Sequence, residues 1–240
     1  MSCDAEKDLI VTEHIQRVEI GNATLHLANA YELVPHLGFF DVLIADPQYD
    51  FKTEGGGSYR KSRNGLDDII EQGLDKGFDH SIINPLLHRS VMVFCHNDQL
   101  PELLSYMKGS YWRFALCDWK KTNPQPVCNK NYLPDKEYYI HAWHEGCHPL
   151  GGYKDLSRNI TVPNGGKSKF GHPTVKPDTV MNKIMTNANG HKILDPFMGT
   201  GSTGVAAIRA GKHFVGVEHN VRHFDTAVRR ISDAVAEVGA

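Results

Sequence analysis

The chain has 240 residues, of which 40% are hydrophobic and 22% charged, and a formal net charge of −2. That is enough chain for one good core and fits a single domain over 1–240, while near-neutral charge neither requires nor excludes nucleic acid, because basic groups can be local. There is no run of about 18 apolar residues and no basic-then-apolar leader in MSCDAEKDLI, and the five cysteines are odd and scattered. These features point away from a membrane, a signal peptide or a disulfide framework, and toward a reducing cytoplasm.

In chain order, Val18–Ile20 and Ala23–Leu27 alternate around Gly21-Asn22, which predicts a hairpin. Asn29-Ala30 opens a helix through Leu37. Asp41–Ala45 is a short apolar run of the kind buried on both faces of a sheet. Residues 50–67 read as a mobile Gly/Ser-rich basic loop. A helix is expected over 69–88, although Pro85 sits in its last third. Ser90–Cys95 is another buried strand, His96–Met107 a helix, and 111–119 and 137–143 are late strands. Lys120–Pro134 and 144–171 read as loops. A helix over 177–187 leads into the strand Ile193-Leu194. Another helix starts at Thr203, His213–Glu218 is a strand, and 220–236 closes the chain as a helix. Strands alternating with helices predict an α/β fold with a mostly parallel sheet covered on both faces.

Two stretches carry chemistry. In Lys192–Thr203, KILDPFMGTGST, a strand meets Asp195, then a turn with Gly199 and Gly201, then a helix. Glycines let backbone approach a ligand, and the helix start presents free N–H groups. Taken alone, G-x-G also fits an ordinary strand-to-helix turn. Glu218, at the tip of the next strand, stands where a ribose diol is held in such folds. The second stretch is Asp46-Pro47-Gln48-Tyr49, at the carboxyl end of a strand, where ligands collect in open α/β sheets. The Asp46 carboxylate and the Pro47 carbonyl are two acceptors for the hydrogens of one amino group, and Tyr49 is a ring on which a base stacks, a contact worth about 1–3 kcal/mol. A strand-ending turn is the plain alternative.

Together these stretches resemble the amino-group DNA methyltransferases that use S-adenosylmethionine, whose motifs are D/N/S-P-P-aromatic and D-x-F-x-G-x-G. The catalytic motif comes first here, as in the permuted β group. Gly171–Pro177, GHPTVKP, is similar to that group's HPTxKP stretch, and Trp119–Pro124 and Asp135–Trp143 look like its later motifs. The resemblance covers the chain from about residue 18 onward. It implies a Rossmann-like methyltransferase fold with a seven-stranded type of sheet and a circularly permuted motif order. It also implies that the strands ending at Asp46 and Asp195 are neighbours.

The resemblance further implies roles. Asp195, Phe197, Gly199, Gly201, Ser202 and Thr203 line the cofactor. Glu218 takes its ribose, and His172, Thr174 and Lys176 its methionine end. Asn29 stands where the family often has an acid near the adenine. Asp46, Pro47 and Tyr49 hold the target amine. Gln48 replaces the family's second proline, which loosens that loop. The reaction implied is methyl transfer to N6 of a flipped-out adenine in DNA, of the restriction-modification type. N4-cytosine, RNA or protein-amide substrates and a non-catalytic binding subunit remain as alternatives. No Pro-Cys pair occurs, which counts against methylation at cytosine carbon 5.

The basic residues Lys52, Arg60, Lys61 and Arg63 in one loop, Lys120, and Lys154, Arg158, Lys167 and Lys169 in another are expected to contact DNA phosphates. Segment 145–171 stands where the β group has its target-recognition region and is short. The group His141, His144, Cys147 and His148 matches no zinc-ligand spacing and reads as a His-rich strand end, so no metal is expected. DNA is the expected partner, a membrane is not, and a homodimer is an admissible assembly.

Overall fold

A computed structural model describes residues 16–48, 77–124, 132–164 and 176–239. In chain order the strands are β1 (Gln16–Ile20), β2 (Ala23–Leu27), β3 (Phe40–Ala45), β4 (His88–Cys95), β5 (Arg113–Lys121), β6 (Lys136–Trp143), β7 (Asn159–Val162), β8 (Lys192–Asp195) and β9 (His213–Glu218). The α-helices are α1 (Ala30–Leu33), α2 (Leu100–Ser110), α3 (Asp178–Asn187), α4 (Ser202–Arg209) and α5 (Val221–Gly239). The strands form one sheet in the order β1-β2-β9-β8-β3-β4-β6-β5-β7. Pairing is parallel from β2 through β4 and between β5 and β7, and antiparallel at β1–β2, β4–β6 and β5–β6.

The central strands read as apolar runs because both of their faces are covered. Val42 and Ile44 of β3 and Met92 and Phe94 of β4 pack into one core with Ile184, Ile208 and Phe224. Their neighbours Leu43, Ala45, Val91 and Val93 point the other way and pack with Leu103 and Met107 of α2. This is the two-residue period of a strand with both faces buried. α5 contributes a single stripe, Phe224, Ala227, Ile231 and Ala234, at helical spacing. Its start is capped by Asn220, whose Oδ1 accepts from the N–H groups of Arg222 (3.0 Å) and His223 (3.3 Å).

The hairpin, the buried strands and the long helices stand as expected. Three expectations need correction. Within the expected helix 69–88, the described residues 77–88 hold only a 3₁₀ turn, His80–Ile82, begun by Asp79. A turn at Asn84-Pro85 follows, in which Asn84 Oδ1 accepts from Leu86 N at 2.9 Å. Asn-Pro is a turn signal, and it prevails here over the apolar pattern. The helix expected from Asn29 to Leu37 is four residues of α-helix followed by a 3₁₀ turn with Pro35 at its start. Segment 144–171 is not all loop, because β7 adds a parallel edge strand to β5. The Trp119 indole N–H donates to Val162 O (2.9 Å) and the Asn159 amide to Asp118 (2.7 Å), fixing that edge. The 50–67 loop lies outside the described residues.

Candidate active site

Parallel pairing puts the carboxyl ends of β2, β9, β8, β3 and β4 on one edge of the sheet. Antiparallel β6 brings its amino end to that edge, since Cys95 faces Tyr138. β3 and β8 are direct neighbours, with Val42 opposite Ile193 and Leu43 opposite Leu194. Asp195 therefore ends one strand beside the strand that Asp46 and Pro47 follow, although about 150 residues separate them in the chain. Glu218 ends the next strand, β9.

Asp195 is 2% exposed. Burial is the main cause that pushes its carboxyl up to about 7, opposed by hydrogen bonds from the Thr203 hydroxyl and the Phe197 N–H and reinforced by the nearby charges of Asp46 and Glu218. Gly199 and Gly201 have φ of +51° and +85°. A β-carbon at Gly201 would also sit 3.0 Å from Ala227 Cβ, whereas at Gly199 the nearest atom is 4.0 Å away. Gly201 thus serves packing against α5, and Gly199 leaves an open backbone face. Glu218 ties the turn together. Its Oε2 accepts from Gly199 N (2.8 Å) and its Oε1 from Asn220 N (2.7 Å).

From behind the turn, Arg230 of α5 donates to Thr200 O (2.7 Å) and to Ser202 Oγ (3.3 Å). Phe197 stands half-buried beside Tyr31 and Phe78, each with its ring centroid 6.1 Å away. Asn29, just past β2, caps α1 by accepting from Tyr31 N (3.1 Å) and donating to Glu32 (2.8 Å).

Across the edge, Pro47 is buried and Asp46 half-buried. The carbonyl of Gln48 accepts from the Gln99 amide at 3.2 Å, an anchor on the loop at the position where the sequence lacks a proline. Lys176 Nζ lies 2.8 Å from Asp46 Oδ1 and 2.7 Å from Oδ2. The same nitrogen is 3.1 Å from Glu137 Oε2, and Lys121 Nζ is 2.6 Å from Glu137 Oε1. The Phe94 ring lies 4.6 Å from the Lys176 ammonium. Burial alone would lower the Lys176 ammonium, but the Asp46 and Glu137 carboxylates hold it above the ordinary lysine range. Glu137 is held down at about 2: burial acts the other way, and the two lysines outweigh it.

Lys176, expected at the cofactor's methionine end, is thus in direct contact with Asp46. Glu137 and Lys121 join the site without a local signal; in the sequence they stand only within the alternating strand Asp135–Trp143 and the Trp119-Lys120-Lys121 stretch. Lys120 lies at this same edge, since it pairs with Lys136 at the start of β6. Arg158 directly precedes β7, its carbonyl accepting from Asp118 N at 2.9 Å, and Lys154 lies elsewhere. Residues 148–155 pack on the carboxyl-terminal end of α3, where Asn187 donates to Leu150 O (2.7 Å) and Asp155 O (3.0 Å). That end is about 15 Å along the helix from Lys176, which precedes the other end. Tyr49, Lys52, Arg60, Lys61, Arg63, Lys167, Lys169, His172 and Thr174 lie outside the described residues. Among the described residues no His, Cys, Asp and Glu cluster could hold a metal, and no helix is long and apolar enough to cross a membrane.

The sequence profile of the N6/N4 methyltransferases, described as DNA methylase, matches residues 88–229, more than half of the chain. The chain belongs to this DNA methylase family. It is 29% identical over 132 residues to the type II methyltransferase M2.LlaDCHI of Lactococcus lactis subsp. cremoris, a match covering 48% of this chain and 49% of that protein. It is 28% identical over 130 residues to M2.DpnII of Streptococcus pneumoniae, covering 47% and 48%. The matched stretch thus spans about half the length of these relatives. The fold is shared with solved methyltransferases. The S-adenosylmethionine complex of M1.HpyAVI superposes with a TM-score of 0.65 at 22% identity, covering 87% of this chain and 98% of that one. The cytosine-N4-specific PvuII DNA methyltransferase superposes with a TM-score of 0.63 at 12% identity, covering 91% and 93%. The family's seven-stranded plan corresponds here to the sheet without its two edge strands, β1 and β7.

Proposed function

We propose that the protein transfers a methyl group from S-adenosylmethionine to the exocyclic N6 of an adenine flipped out of DNA. The observation that carries this reading is the adjacency of two edge acids, Asp46 with Pro47 after β3 and Asp195 at the end of β8, in a chain of the DNA methylase family. The cofactor suits the residues present. The open backbone face at Gly199, the buried carboxylate of Glu218 one strand away and the Phe197 ring line one side of the edge. Glu218 and the Gly199 turn hold the ribose end, and Phe197 lies against the adenine. Bound there, the cofactor supplies a methyl group on a sulfonium.

The protein's own task is to prepare the amine. The lone pair of an aryl amine is delocalised into its ring, which makes it a weak nucleophile. Asp46 and the Pro47 carbonyl accept its two hydrogens, draw the nitrogen toward tetrahedral geometry and localise the lone pair. Catalysis is then mainly orientation and fixed charge. A base inside a duplex is out of reach, so the target leaves the stack. Lys120, on the same edge as Asp46, supports this reading as a basic group for phosphate beside that base. An aspartate as the first motif residue favours adenine over cytosine.

Methylation of mixed-sequence DNA with labelled cofactor, followed by digestion to nucleosides, tests the reading. N6-methyladenine is the expected product. N4-methylcytosine would move the substrate to cytosine, and bound cofactor with no product on any DNA would make the chain a non-catalytic subunit. Glu218→Ala is expected to weaken cofactor binding by the value of a charge-assisted hydrogen bond, about 1.5–3 kcal/mol. Glu218→Gln, which keeps an acceptor for the Gly199 N–H, should lose less. Calorimetry giving wild-type affinity for a folded Glu218→Ala protein would remove Glu218 from the cofactor site.

A further inference from the structure

We propose that Lys176 and Glu137 are positioning residues for methyl transfer, acting through Asp46; this rests on the amine-methylation reading above. One ammonium grips both oxygens of Asp46, at 2.8 and 2.7 Å. A carboxylate held through both oxygens is restrained from turning, whereas one at the start of a loop would otherwise turn about its side-chain bonds. Lys176 is itself immobilised: it is 7% exposed, its ammonium lies over the Phe94 ring, and Glu137 Oε2 holds it at 3.1 Å. Glu137 is on β6, an inner strand flanked by β4 and β5, and Lys121 of β5 holds its other oxygen at 2.6 Å. The orientation of Asp46 is thereby referred to the rigid sheet instead of its own loop. Interactions of this kind keep a reacting group within a fraction of an ångström of its working geometry.

Charge gives Glu137 a second reason to be there. A lysine beside Asp46, taken alone, cancels the carboxylate's charge at the place where the amine nitrogen becomes positive. The Glu137 carboxylate, which Lys176 shares with Lys121, offsets Lys176 in part and so preserves part of the negative charge of Asp46 toward that nitrogen. Orientation and charge then predict different things for Lys176. Losing its charge would aid the developing positive nitrogen, but losing its grip would misplace Asp46. The grip carries the larger effect, since misplacement of about 1 Å costs on the order of 10²-fold in rate.

The experiment uses the 240-residue chain with S-adenosylmethionine and mixed-sequence DNA, in single-turnover methylation, cofactor calorimetry and thermal melting. Lys176→Met, close in shape and neutral, is expected to lower the methylation rate about tenfold to 10²-fold, with cofactor affinity within a few-fold of wild type. Lys176→Arg should recover part of that loss. Glu137→Gln should also lower the rate while leaving cofactor affinity unchanged. Combining Glu137→Gln with Lys176→Met should cost no more than Lys176→Met alone, because Glu137 acts through the lysine. A Lys176→Met rate equal to or above wild type would overturn the proposal. So would a cofactor affinity falling in parallel with rate, which would make Lys176 a cofactor ligand. If Lys176→Met does not fold, Glu137→Gln decides: a wild-type rate overturns the proposal and a lowered rate at unchanged affinity supports it. Failure of the underlying reading looks different, because the wild-type protein itself would then make no methylated amine.

Discussion

Asp46→Asn is expected to lose about 10² to 10³-fold in single-turnover methyl transfer while binding cofactor within a few-fold of wild type. That is the range measured when one preorganised partner of a developing charge is removed. The carboxylate's bond to the target amine tightens as positive charge develops on the nitrogen. It therefore stabilises the transition state more than the bound ground state, and its loss falls on turnover more than on affinity. Asparagine is the informative replacement because of Lys176. Alanine would take away the carboxylate that lies closest to a buried ammonium, and breaking a buried ion pair by deleting one partner costs on the order of 3–5 kcal/mol. Glu137 remains beside Lys176 at 3.1 Å and softens that loss, but Asp46→Ala is still expected to melt at a lower temperature. Asparagine keeps the shape and one acceptor oxygen. A residue that merely ends a strand would lower stability and lower binding and turnover in proportion. Melting curves and single-turnover assays on the same preparations separate the two, and a folded Asp46→Asn protein methylating at the wild-type rate would remove Asp46 from the chemistry.

What the sequence could reveal of this site depended on the range of the interactions. Asp195, Gly199 and Gly201 lie within seven residues, and their pattern reflects local demands: a strand end, a left-handed turn and a helix start. Asp46-Pro47 was equally visible because an apolar run stops at it. The neighbourhood of the two stretches needed topology and was supplied by family resemblance; the pairing of β3 with β8 confirms it. The Asp46–Lys176–Glu137–Lys121 chain had no local signal. Asp46 and Lys176 are 130 residues apart, and Glu137 and Lys121 are charged residues on alternating strands, where such residues usually face water. They meet because β6 reverses direction and delivers its amino end to the catalytic edge. β7 was hidden for another reason. Four residues, NITV, among glycines and prolines carry too few periods to distinguish a strand from a loop, and the pairing comes from β5 beside them.

Two buried histidines set the second large expectation, a loss of stability in mild acid. His88, on β4, is fully buried and His141, on β6, nearly so. Among the described residues neither ring nitrogen of His88 has a hydrogen-bond partner, and Nε2 of His141 has none. Burial lowers both imidazoles from 6.5 to about 4. The unfolded chain therefore takes up two protons below pH 6.5 that the folded protein refuses until about pH 4. The stability is complete above 6.5 and is lost as pH falls from there toward 4, on the order of 3 kcal/mol per histidine over the window. His26, lowered mainly by burial, acts in the same direction. Asp195 opposes them. Its folded value of about 7 lies above its unfolded 3.8, so its stabilisation is complete below 3.8 and is lost as pH rises from there to about 7. Glu137, at about 2 against 4.5, enters only below 4.5. Between pH 5 and 6 the histidines outweigh Asp195, and stability rises with pH by on the order of 1 kcal/mol per pH unit. Urea unfolding at pH 5, 6 and 7 measures it. His88→Phe, which replaces an unpartnered ring with an apolar one beside Phe40, should raise stability at pH 5 relative to wild type and reduce the slope by about one proton. An unchanged slope in that variant would mean that His88 takes up its proton in the folded protein as readily as in the unfolded chain.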